Sequence, residues 1–154
     1  MTYRLTLPAL AILALTPLAH AQDQRMPDLL PVAIESIAHD QQRYPTVGDY
    51  WLEDGKLVIK VSAMSDPRYS FLVALHELVE ASLVRARGIP IEAIDDFDVA
   101  YEAKRKDGDN SEPGDSPAAP YHREHVFATK IEKLMAKELG VDWKAYDAAV
   151  EELP

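Results

Sequence analysis

The densest chemistry in this 154-residue chain lies in five consecutive residues, His76-Glu77-Leu78-Val79-Glu80. On a helix, residues four apart stand one turn above each other, so His76 and Glu80 can aim an imidazole nitrogen and a carboxylate oxygen at one point. Glu77 falls about a quarter-turn to the side. The surrounding run from Leu72 to Val84 is otherwise apolar, and ionisable groups in such a helix are costly unless each has a partner. A divalent metal is such a partner. His76 and Glu80 would bind it, and Glu77 would reach a water as general base.

A third ligand must come from elsewhere, and the chain holds five histidines. His20 sits in the N-terminal apolar stretch, and His39 falls in an early segment of helical spacing. Of the remaining two, His125 borders the apolar face that Phe127, Ala128, Ile131, Leu134, Met135 and Leu139 define on a helix, beside Ala128 and above Glu132. His122 points further toward solvent. The expected ligand set is therefore His76, Glu80 and His125. Zinc hydrolases read H-E-x-x-H, and this chain places Glu80 where the second histidine stands. A carboxylate oxygen binds zinc about as closely as an imidazole nitrogen. With one imidazole fewer, other divalent metals also become credible.

The elements that must position these groups follow from local signals. Leu30, Ala33, Ile34 and Ile37 have helical spacing and predict a helix over 29–42. Asp54-Gly55 between Tyr50-Trp51-Leu52 and the Leu57–Ser62 run predicts a β-hairpin, because glycine supplies the positive φ of a tight turn. Asp66-Pro67 reads as an N-cap followed by proline in the first helical turn. That helix should run to about Arg87 and stop at Gly88, with Leu72, Leu75, Val79 and Leu83 facing the core and His76 and Glu80 on the stripe's edge. Further helices are expected over 91–103 and 122–139, with Asp142 capping a short last one. Trp51 and Trp143 are expected core anchors. Residues 104–120, rich in Asp, Gly, Ser and Pro, read as a long, mobile, exposed loop. The fold class is α+β, helices with one β-hairpin in a single domain.

Residues 1–21 read as a signal peptide. Arg4 precedes the apolar stretch from Leu5 to Leu18, and Ala19-His20-Ala21 offers a small-x-small cleavage site after Ala21. The apolar run is shorter than the roughly 20 residues a membrane span needs. The expectation is a periplasmic or secreted protein, residues 22–154, with no stable membrane anchor. Cysteine is absent, so neither disulfides nor lipid attachment at cysteine enters. A formal net charge of −10 disfavours nucleic acid and anionic membranes as partners and is compatible with binding cations.

Two acidic stretches carry less. Asp95-Asp96-Phe97-Asp98 reads as a solvated face around a buried Phe97, with one aspartate available to orient a ligand histidine. Counted from Asp107, the run to Asp115 lacks the sixth-position glycine and twelfth-position glutamate of a calcium loop. Asp115 is placed to approach the histidine site.

Three segments, Tyr44-Pro45-Thr46-Val47-Gly48-Asp49-Tyr50-Trp51, His76-Glu77-Leu78-Val79-Glu80 and Ala119-Pro120-Tyr121-His122-Arg123-Glu124-His125, together resemble a family of small uncharacterised phage and bacterial proteins. These are similar in outline to minimal zincins, with a hairpin, an active helix and a supporting helix. The resemblance spans most of residues 44–145 and implies a minimal zincin-like domain with a metal site at His76, Glu80 and His125. It brings no substrate, and many such relatives are expected to be cytoplasmic. The expected function is a metal-dependent, peptidase-like hydrolase using zinc and Glu77, with the hairpin offering an edge strand to an extended peptide. The alternative is a non-enzymatic exported binding protein with a structural metal site or none.

Overall fold

The computed structural model describes residues 28–106, 109 and 111–153. The expected signal peptide, residues 1–21, lies outside the described residues, as do positions 107, 108 and 110 of the acidic loop. No helix among the described residues is long and apolar enough to cross a membrane.

Among the described residues, four α-helices and a three-stranded sheet form an α+β fold. Strands β1 (Val32–Ile37), β2 (Gly48–Glu53) and β3 (Lys56–Ser62) are followed by helices α1 (Pro67–Ala86), α2 (Ile91–Glu102), α3 (His122–Glu138) and α4 (Trp143–Glu151). The predicted hairpin is β2–β3, antiparallel, with Asp54 and Gly55 both at positive φ in its turn. Asp66 caps α1 by accepting from the Arg68 amide, Gly88 adopts positive φ beyond its end, and Asp142 caps α4.

The helix expected over 29–42 is not formed. Val32–Ile37 instead pairs in parallel with β3, and His39 lies on a single 3-10 turn rather than on a helix. Spacing could not separate the two: Leu30, Ala33, Ile34 and Ile37 fit one helical face, whereas β-branched Val32, Ile34 and Ile37 also suit a strand. The sheet order is β1-β3-β2, so β3 is central and β2 keeps one unpaired edge.

Helix α1 packs on β2 and β3 with one side and on α3 with another. Of the predicted stripe only Leu72 is buried, while Leu75, Val79 and Leu83 are partly covered. The buried residues are Ser70, Leu72, Val73, Ala74, His76, Glu80, Ala81 and Val84, which places His76 and Glu80 within a buried face. Helix α3 departs from expectation in the same way. Phe127 and Leu134 are exposed, while Glu124, His125, Ala128, Glu132 and Ala136 are buried. Two facing helices thus bury imidazoles and carboxylates against each other. The apolar core, built on Leu57, Ile59, Val61, Leu72 and Val84, lies between α1 and the sheet. Trp51 and Trp143 are only half-buried; Tyr50 and Tyr146 are the more deeply seated aromatics.

Candidate metal centre

His76, Glu80 and His125 come together as a buried group able to hold a metal ion. His76 Nε2 stands 3.1 Å from His125 Nδ1, His125 Nδ1 is 3.1 Å from Glu80 Oε2, and His76 Nε2 is 3.4 Å from that same oxygen. These lengths provide a fit test. Three ligands at zinc's bond lengths of about 2.0–2.1 Å, placed tetrahedrally, lie about 3.3–3.4 Å apart. One edge of the triangle has that length and the other two fall about 0.2–0.3 Å short of it, a small adjustment for a face of that tetrahedron. Its nitrogen and oxygen donors suit a borderline divalent ion.

Neighbouring side chains fix the orientation of each ligand. Glu132 Oε2 lies 2.9 Å from Nδ1 of His76, so this nitrogen donates to the carboxylate and Nε2 faces the other two donors. Glu132 is itself held by the phenol of Tyr146. Tyr50 donates to Oε1 of Glu80 at 3.1 Å, which leaves Oε2 for the cluster. Burial would make His76 less basic, but hydrogen bonds with Glu132 and Glu80 outweigh it and hold the imidazole well above its ordinary pKa. His125 is raised by the same balance, chiefly through Glu80. Glu80 shows the mirror image. Burial opposes its charge, yet the two imidazoles keep it below the ordinary range.

The segment read as an exposed loop is part of this site. A 3-10 turn at Pro113–Asp115 buries Gly114 against the His125 ring, where an added Cβ would stand 2.5 Å from Nδ1. Beyond the ring, Glu112 Oε2 and Asp115 Oδ1 lie 3.3 and 3.5 Å from Nε2 of His125. His122 is no ligand, but its Nδ1 donates to the Gly114 carbonyl at 2.8 Å and ties the turn to α3. Earlier in the segment, Arg105 donates to the carbonyls of Asp109 and Ser111.

Glu77 takes a different position. Its carboxylate has no hydrogen bond or ion pair among the described residues, and Glu77 lines the same cleft as His76, Glu80 and His125. Gly48, opening β2, makes room for it, since a Cβ there would collide with the carboxylate and meet Val73 Cγ1 at 2.8 Å. Burial first, and then the charge of Glu80, raises its pKa well above the usual carboxylate range. The arginines that would pair with the motif on an ordinary helix surface go elsewhere: Arg87 meets Glu124, and Arg85 donates to the carbonyl of Asp28.

Of the acidic α2 stretch, Phe97 is partly buried as expected, but Asp98 is buried rather than solvated and accepts from Tyr121. The carboxylate that orients a histidine is Glu132, which sequence reasoning did not single out. Its signal was its position seven residues after His125, two turns along the same face of α3. Comparison with protein-family models, curated proteins and solved structures yields no match to this chain.

Proposed function

We propose that this chain is a metal-dependent hydrolase acting on peptide bonds, with His76, Glu80 and His125 as ligands and Glu77 as general base. The observation that carries this reading is the 3.1–3.4 Å triangle of donor atoms on a cleft wall beside the unpaired Glu77. Three protein ligands are the number that catalytic zinc sites use, whereas structural sites close with four. This distinction favours the enzyme over the exported binding protein.

Zinc bound by such a set would acidify a water and polarise a substrate carbonyl. The chain's own residues supply the rest. Glu77, set apart from the three donors and held in the cleft beside Gly48, accepts a proton from the attacking water and passes it to the leaving amine. Glu132 keeps Nε2 of His76 directed at the centre, and Tyr50 does the same for Oε2 of Glu80. The unpaired edge of β2 begins at Gly48, next to Glu77, and an extended peptide adding to it would pass the base. The resemblance to minimal zincins agrees with this division of roles, and the N-terminal signal would place the work outside the cytoplasm.

Glu77→Gln tests the assignment. The variant is expected to keep the metal while peptide hydrolysis falls by about 10²–10⁴-fold. A metal-loaded Glu77→Gln protein as active as wild type would end the mechanism.

A further inference from the structure

Beside the metal ligands, the cleft contains a carboxyl that the reaction does not use. Asp98 on α2 lines the cleft and is only 8 % exposed. The Tyr121 phenol donates to its Oδ1 at 2.7 Å, and the same ring stands edge-on to His125 with centroids 6.3 Å apart. Asp98 is therefore one tyrosine's length from a metal ligand.

Oδ2 of Asp98 has no hydrogen-bond donor, and neither oxygen has a cation within ion-pair reach among the described residues. Burial first, and then the negative charges of Glu80, Asp95 and Glu102, raise its pKa to about 7 against the lowering effect of the Tyr121 hydrogen bond. The two arginines that pair with α2 are already engaged. Arg43 grips Asp49 through bonds of 2.6 and 2.8 Å and stands 3.7 Å from Asp95, while Arg105 holds Glu102. No cation described in this chain reaches the carboxyl, which leaves Oδ2 open to a partner from the cleft.

The walls around Asp98 restrict what that partner can be. Ile94, one turn earlier on α2, and Tyr44, which feels the Asp98 charge, line the same cleft as Tyr121. A carboxyl lining one cleft with aromatic and aliphatic side chains suits a long apolar stem with a charged tip, which is the form of an arginine or lysine side chain. A guanidinium would also gain from tyrosine rings beside it.

We propose that Asp98 is the base of a specificity pocket that takes an arginine or lysine side chain from a peptide lying in the cleft. This rests on the cleft being the peptide-binding site of the hydrolase described above. On that basis the substrates are basic peptides, and Asp98 selects which residue stands near the bond that is cut.

Binding rather than turnover gives the test. Zinc-loaded Glu77→Gln protein is titrated calorimetrically with capped hexa-alanine peptides carrying one arginine, or its neutral isostere citrulline, at each position in turn. At one position the arginine peptide is expected to bind at least about tenfold more tightly than its citrulline twin. Adding Asp98→Asn, which keeps the acceptor for Tyr121, should bring that ratio to about one. Equal binding of the two peptides, a preference that survives Asp98→Asn, or no binding of either would each overturn the pocket. The hydrolase reading is separable: selective binding through Asp98 without cleavage by wild type keeps the pocket and discards the enzyme. Cleavage indifferent to arginine does the reverse.

Discussion

Glu132 and His76, 56 residues apart in the chain, meet through a 2.9 Å hydrogen bond between buried side chains on α3 and α1. The bond leaves Nε2 as the imidazole nitrogen that faces His125 and Glu80. It also explains why α3 buries a glutamate where an apolar residue would otherwise pack. Outer partners of this kind typically account for about 10–100-fold in metal affinity. Glu132→Gln should therefore weaken zinc binding by that factor, measured by competition with a chromophoric chelator, while circular dichroism shows the helices retained. Unchanged affinity would remove Glu132 from the centre.

Gly114 makes the second prediction. The space beside Nδ1 of His125 admits no Cβ, so Gly114→Ala must push the 113–115 turn away from the ring or rotate the ring itself. Metal affinity should fall, with a stability loss of about 1–3 kcal/mol as in other overpacked sites. Chelator competition and thermal melting, read together, check both effects. His122→Ala should weaken metal binding less, because it removes only the tie from α3 to the Gly114 carbonyl.

Local rules carried much of the fold. The Asp54-Gly55 turn, the Asp66-Pro67 start of α1, the Gly88 stop and the Asp142 cap each depend on backbone chemistry within a few residues, and each is where the sequence places it. The pairing of His76 with Glu80 was legible too, because i, i+4 spacing on a helix needs no tertiary knowledge. His125 follows only from elimination among the histidines, and its meeting with that pair depends on the packing of α1 on α3. What stayed hidden depends on neighbours remote in sequence. The β1 pattern suits a strand or a helix, and only pairing with β3 decides it. Counting apolar residues misjudged α3, since Phe127 and Leu134 face out while Glu124, His125 and Glu132 face the partner helix. The 104–120 stretch has a loop's composition, and nothing local reveals that Gly114 must fit against an imidazole.

Asp98 gives a pH dependence whose sign follows from its raised pKa. An unfolded aspartate titrates near 3.8, whereas in the folded protein it does so at about 7. Between these values the native state holds a proton that the unfolded chain has lost, so this group's contribution to stability falls as pH rises from about 4 to 7. Above pH 7 the penalty is complete. Asp98→Asn should therefore be the more stable protein at pH 8, by roughly 2–4 kcal/mol, with the gap closing toward pH 4. Urea unfolding of both proteins across that range decides it, and a constant gap would contradict the assignment.

The most direct test of the account is metal stoichiometry. The protein, purified without a histidine tag, is loaded with zinc, dialysed and weighed by native mass spectrometry beside Glu80→Ala and His125→Ala. The account predicts about one zinc per wild-type chain and none retained by either variant. Wild type that emerges from dialysis without metal, or variants that keep it as well as wild type does, would contradict a centre built on His76, Glu80 and His125.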